Sequence, residues 1–264
     1  MDHRFSANLS MLFTEVPLLE RFARAAKAGF SRVELQFPYE APIEALQAQL
    51  QTHSLQLVLH NLPAGDWAAG ERGIACLPGR EAEFREGVAR GIAYAQALKV
   101  PRLNVLAGIA PAGVSDAVLR QTLVANLRYA ASALQAAGLQ LLIEPVNTRD
   151  IPGFWLDNTA RALSVMDEVG ADNLLLQFDL YHAQRTDGEL AGTLSQHLAR
   201  IGHIQFADNP GRHEPGTGEI RFTFLWQHLR SLGYQGHIGA EYKPSTPTTE
   251  ASLGWMDEAV RLMG

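Results

Sequence analysis

The chain has 264 residues, 47% of them hydrophobic, and a formal net charge of −6, enough apolar material for one sizeable core and too much for a disordered segment. The acidic balance argues against a nucleic-acid surface, which needs clustered Lys and Arg, but not against a small anion held by two or three local positive groups. The single cysteine, Cys76, excludes an internal disulfide and fits a reducing cytoplasm, the apolar stretches are too short to cross a bilayer, and the start Met1-Asp2-His3-Arg4 lacks a signal-peptide profile.

In chain order, 4–9 alternates as a first strand, and Pro17 opens a helix whose apolar face is Leu18, Leu19, Phe22, Ala25 and Ala26, closed by Gly29. A strand over 32–36 and a helix over 42–53 follow, then a third strand, 55–61, ending in His60-Asn61. From 62 to 80 there is no periodicity, while glycine and proline recur and Trp67 and Ile74 interrupt them; an aperiodic loop of that length in a compact domain reads as a functional lid. Helix 81–98, strand 102–106 and helix 115–137 lead to a fifth strand that delivers Glu144. Asp157 or Asn158 can cap the next helix, and a sixth strand delivers Asp179. A short helix near 189–200, a seventh strand ending in Gln205, a glycine-rich loop over 206–221, a helix over 223–232, an eighth strand ending in Glu241 and a last helix over 249–263 complete the chain.

Eight strand–helix pairs about thirty residues apart, with no linker or charge run between them, describe one α/β domain, a (β/α)₈ TIM barrel. An open doubly wound sheet is the alternative, but Leu9-Ser10-Met11-Leu12 stands where its Gly-x-Gly-x-x-Gly turn would be. In a barrel the carboxy-terminal strand ends meet at one mouth. One carboxylate after an apolar run is ordinarily a helix cap or surface partner. Glu144, Asp179, Gln205 and Glu241 on four successive strands make a pattern, an all-oxygen cage suited to a hard divalent cation such as Mg²⁺ or Mn²⁺. Lacking thiolates and clustered imidazoles, the set does not suit structural zinc. His182, Arg212, His213 and Lys243 are the best-placed positive groups for an anionic substrate, and His60 and Asn61 are further candidates to face the mouth. The histidines at 3, 53, 197, 228 and 237 read as surface or core residues. No Gly-x-Ser-x-Gly and no phosphate-binding Gly-Lys-Ser/Thr loop occurs, so metal and carboxylates remain, which suits proton transfer beside a carbonyl.

Five segments carry a more specific signal: Asn61-Leu62-Pro63-Ala64-Gly65-Asp66-Trp67 through Arg80, Glu144-Pro145-Val146-Asn147-Thr148-Arg149-Asp150-Ile151-Pro152-Gly153, Gln177-Phe178-Asp179-Leu180-Tyr181-His182, Gly211-Arg212-His213-Glu214-Pro215-Gly216 and Gly239-Ala240-Glu241-Tyr242-Lys243-Pro244. In this order they resemble the hydroxypyruvate isomerases, within the xylose-isomerase-like barrels, and the likeness runs from Phe5 to Trp255. The resemblance implies a metal-assisted aldose–ketose type isomerisation of hydroxypyruvate to 2-hydroxy-3-oxopropanoate through an enediolate. Glu144, Asp179, Gln205 and Glu241 resemble the metal ligands, Glu144 and Glu241 the proton-transfer pair, and His182 and Arg212 substrate contacts. Gln205 stands where the related ketose 3-epimerases place histidine, and Asp150 near their substrate-contacting glutamate; both departures favour the isomerase branch. A 2-oxo-tetronate isomerase or a sugar-acid 3-epimerase is the alternative. The expected partner is a small anionic 2-oxo acid, with neither nucleic acid nor membrane; a homo-oligomer stays open.

Overall fold

Eight short strands form from runs of three to six residues, too short for helical periodicity and bounded by turn and loop residues. They are β1 (Phe5–Asn8), β2 (Arg32–Leu35), β3 (Gln56–Asn61), β4 (Arg102–Val105), β5 (Gln140–Ile143), β6 (Leu174–Asp179), β7 (Ile201–Phe206) and β8 (Ile238–Ala240). The computed structural model describes residues 4–264, so His3 lies outside it. All neighbouring strands are parallel and the order closes on itself, with β1 bonded to both β2 and β8. This is the expected TIM barrel, a single domain.

Parallel neighbours need a crossover, and helices supply it. They are α1 (Leu18–Lys27), α2 (Ile43–Thr52), α3 (Glu81–Leu98), α4 (Asp116–Ala136), α5 (Thr159–Val169), α6 (Leu180–Thr186), α7 (Leu190–His197), α8 (Phe222–Ser231) and α9 (Met256–Met263), with 3₁₀ turns before β7 and α9. Ser115 and Asn158 cap α4 and α5 by accepting the backbone N–H of Val118 and Arg161. Between β6 and the helix expected near 189–200 stands a further short helix, α6. Asp179 ends the strand and caps the helix at once, its side chain accepting the N–H of Tyr181.

Strand alternation divides the buried residues into two populations. Helix-facing side chains such as Phe5, Val33, Leu103, Ile143, Phe178 and Ile238 join the helices in one continuous core. Facing the axis, Val58, Leu59 and Leu142 form only a small separate apolar plug. The rest of the axis is polar. Ser6, Glu34, Asn104, Gln177, His203 and Gln205 are all buried there.

The aperiodic stretch 62–80 is pinned at both legs. Leu62, Ala64, Ile74, Ala75 and Cys76 are buried, and Gly73 bridges Ala107. A Cβ on Gly73 would stand 2.3 Å from the carbonyl oxygen of Leu106, so only glycine lets the two backbones approach this closely. The exposed positions are the tip, 66–70, and Pro78-Gly79; at the tip Trp67 lies against Phe37 with ring centroids 4.9 Å apart and under the guanidinium of Arg72.

Candidate active site

Glu144 follows β5, Asp179 ends β6, His182 lies one turn into α6 and Glu241 follows β8. Each is buried, and each offers a ligand atom within 4.8 Å of the others. Glu241 is the most firmly held. Its Oε1 accepts from Asn8 Nδ2 at 3.0 Å and Gln36 Nε2 at 2.9 Å, and its Oε2 accepts from Arg212 at 2.6 Å. Glu144 accepts a single bond, from Asn104 Nδ2 at 2.9 Å, and Asn104 also reaches Asn61 Oδ1 at 3.2 Å. Asn61 thereby joins the cluster.

Three carboxylates crowded together in a low-dielectric site disfavour their own charge. Burial, reinforced by Glu241 and Asp179, holds the Glu144 carboxyl well above the ordinary carboxylate range. Burial likewise pushes Asp179 up to about 7, against the attraction of Arg212, whose guanidinium lies 3.9 Å from Asp179 Oδ2. For Arg212, burial lowers the pKa, but the three surrounding carboxylates outweigh it and the net shift is upward. Arg212 has a left-handed backbone with φ of 55°, a conformation costing a non-glycine residue about 1 kcal/mol or more. Its carbonyl accepts the N–H of Lys243 at 2.8 Å, and its side chain bonds Glu241, so the surroundings hold the strained conformer in place.

A divalent cation fits this donor set. Asp179 Oδ2 is buried without a hydrogen-bond partner, and a doubly positive ion would relieve the repulsion among the carboxylates. His182 does not serve such an ion well through the nitrogen that faces the site. Asn147 Oδ1 accepts the backbone N–H groups of Arg149 and Asp150, so the amide nitrogen must be the atom 2.6 Å from His182 Nδ1. Nδ1 is therefore an acceptor and the proton sits on Nε2, which lies 3.7 Å from Asp179 Oδ2. Burial, then Arg212 and Arg185, hold the imidazole pKa well below its usual value, so it is neutral and a donor. Gln205 stands beside Asp179 in the β6–β7 register, its Oε1 accepting from Gln177 Nε2 at 2.6 Å and its Nε2 donating to Glu34 at 2.9 Å.

The remaining candidates separate. His60 is in register with Leu35 and Leu103, on the helix-facing side, where its ring meets Tyr39 and its Nδ1 lies 3.0 Å from the carbonyl of Asn61. It is not gathered with the carboxylates. Lys243 is exposed, and His213 Nδ1 is held by the Lys243 carbonyl at 2.7 Å. Asp150 accepts from the Tyr181 hydroxyl at 2.7 Å and from Asn147 Nδ2 at 3.1 Å, bracing the residue that holds His182. Asn8, Gln36, Asn104 and Glu34 were not anticipated. Their signal is a polar residue in or just after strands one, two and four, set on the axis-facing side by strand alternation.

The family model described as xylose isomerase-like TIM barrel matches residues 22–259. A hydroxypyruvate isomerase of Escherichia coli (strain K12) is 56% identical over 254 residues, covering 96% of this chain and 98% of that one. A 2-oxo-tetronate isomerase of Cupriavidus necator is 47% identical, covering 96% of this chain and 97% of its own. A crystal structure described as an AP endonuclease, family 2, from Brucella melitensis superposes with a TM-score of 0.94 at 42% identity, covering 97% of this chain and 98% of that one. With the closed barrel and its carboxylate mouth, these likenesses place the chain in the xylose isomerase-like TIM-barrel family, among the hydroxypyruvate isomerases.

Proposed function

We propose that the protein interconverts hydroxypyruvate and 2-hydroxy-3-oxopropanoate, with Glu144, Asp179, Gln205 and Glu241 holding a divalent cation, Mg²⁺ or Mn²⁺. The observation that carries the reading is the convergence of Glu144, Asp179 and Glu241 from separate strands on one buried point, at the mouth where barrel enzymes work. When bound, the cation supplies Lewis-acid polarisation of the C2 carbonyl and offsets charge developing on oxygen. One glutamate of the pair Glu144 and Glu241, ionised, takes a proton from C3, the other, protonated, returns one to C2, and the O3 hydroxyl proton passes to O2, so that C3 becomes the aldehyde and C2 the alcohol. Glu144, with a single hydrogen bond, has the freer oxygens, and its raised pKa makes it the stronger base once ionised. His182 Nε2–H and the Arg212 guanidinium offer donors to the substrate oxygens and carboxylate, with Asn61 beside them; Lys243 lies at the rim. The exposed tip of 62–80, with Trp67, is the part of that loop that closes over bound substrate.

No described helix is long and apolar enough to cross a membrane. A cytoplasmic location and a small-molecule partner belong to the same proposal, supported by the single cysteine and the acidic balance. The 47% likeness to a 2-oxo-tetronate isomerase supports a longer substrate as the second reading. Proton NMR of the purified protein in D₂O separates them. Hydroxypyruvate should be converted with Mn²⁺ or Mg²⁺, placing deuterium at C2 of the product beyond an enzyme-free control, and EDTA should stop it. Turnover of a 2-oxo-tetronate alone would favour the second reading. Retention of the substrate's C3 hydrogen at C2 over many turnovers would count against proton transfer.

A further inference from the structure

Beneath the carboxylates lies a charged group for which the cage itself has no need. Glu34, on β2, is fully buried and accepts from Ser6 Oγ at 2.6 Å, His203 Nε2 at 2.7 Å and Gln205 Nε2 at 2.9 Å. The barrel is shaped around it: a Cβ on Gly239 would lie 2.3 Å from Glu34 Oε1. A buried carboxylate is costly, and an apolar residue of similar volume would fill the axis without that cost. Its position calls for a specific use.

An amide has two ends of nearly equal size, one an acceptor and the other a donor, and packing alone hardly distinguishes them. An ionised carboxylate can only accept. Facing Glu34, the Gln205 amide must therefore present its NH₂ group downward, because the flipped amide would set two acceptor oxygens 2.9 Å apart. Gln177 Nε2 agrees from the other side, donating to Gln205 Oε1 at 2.6 Å. The second lone pair of that oxygen is left for the neighbourhood of Asp179, its register partner.

We propose that Glu34 is a positioning residue that fixes the Gln205 side-chain amide so that its oxygen, and not its NH₂ group, is available to the cation. The inference rests on Gln205 being one of the ligands, and the experiment tests the two separately. Chelator-stripped protein is titrated with Mn²⁺ alone by calorimetry, with thermal melts alongside. Q205L should weaken Mn²⁺ binding; unchanged affinity there removes Gln205 from the ligand set, and the inference with it. Given that loss, E34Q should weaken Mn²⁺ about 10–100-fold, the range for groups that orient a ligand. Wild-type affinity in E34Q would overturn the positioning role while leaving the ligand set intact.

The double variant E34Q/Q205E exchanges donor and acceptor and again offers an oxygen to the cation, so it should regain most of the lost affinity. A role confined to the negative charge at residue 34 predicts no regain, because that residue stays neutral in the double variant, and absence of regain would also overturn the proposal. Should E34Q fail to fold, the wild-type protein still decides. The Gln205 side-chain NH₂ resonance should contain one proton that exchanges slowly with solvent, and an NH₂ group exchanging freely at both protons would refute the lock.

Discussion

Asn147 is the residue on which the chemistry of His182 depends, because its amide is itself held in one orientation by two backbone N–H groups. With Nδ1 occupied by that amide, the imidazole can act only as an Nε2–H donor toward the site. We expect N147L to lose about tenfold in kcat/KM, roughly the worth of one buried hydrogen bond, in steady-state assays with saturating Mn²⁺. Activity equal to wild type would mean that the tautomer is set elsewhere. Asp179 and Glu144 give a second expectation. Their folded pKa values lie above the unfolded ones, so the folded state binds more protons than the unfolded state as pH rises from about 4 to 7, and this contribution lowers stability over that window. Melting temperatures in EDTA should therefore fall from pH 5 to pH 7, while Mn²⁺ affinity climbs over the same range because binding displaces those protons. The acidic cluster was legible from sequence because each of Glu144, Asp179 and Glu241 ends an apolar run in a charge. Asn8 ends its strand, Gln36 follows one and Asn104 lies within one, but all three are neutral amides, indistinguishable from ordinary strand or loop residues until the barrel closes. His60 was a matter of parity: one step along a strand turns a side chain to the other face.

Among the elements, the aperiodic segment 62–80 departs most from a simple picture. Read from composition it is one long lid; in the structure residues 62, 64 and 73–76 belong to the core, and the exposed positions are the tip, 66–70, and Pro78-Gly79. The difference arises because backbone pairing between Gly73 and Ala107 carries no side-chain periodicity to read. Cys76 lies in the pinned part, and burial pushes its thiol up to about 12. We expect it to resist a disulfide reagent under native conditions, at a rate unchanged by substrate, while limited proteolysis cuts near Trp67 and substrate suppresses that cut. Rapid modification of Cys76 in the native protein would show that the whole segment opens. The helix α6 escaped sequence reading for a different reason. Seven residues are too few for helical periodicity to emerge, and its cap, Asp179, had already been assigned as a strand end. The longer helices α3 and α4 were plain from their apolar spacing.

At the scale of the whole molecule, the barrel was legible because parallel strands need crossovers, and eight such pairs in succession leave few ways to arrange them. What could not be read was how far the axis is polar, since that depends on which strand residues face inward after closure. Gly239 shows the constraint. Any side chain there would meet the Glu34 carboxylate, so G239A should destabilise the fold by about 1–3 kcal/mol in urea denaturation, as overpacking does. A fully tolerated alanine would mean that the axis is more yielding than its hydrogen bonds suggest.

The bond from Asn8 to Glu241 has a consequence for how the chain reaches its native state. It joins residues 233 apart in sequence across the seam where the first strand meets the last. Contacts of such separation form late, because the entropy of closing the intervening chain must be offset by structure already made. The carboxylate cluster is therefore finished only when the ring of strands shuts, and, with the cation proposed there, Mn²⁺ uptake becomes a clock for that event. In stopped-flow refolding, Mn²⁺ uptake should follow the slowest phase in step, whereas uptake in an early phase would show that the seam is sealed first.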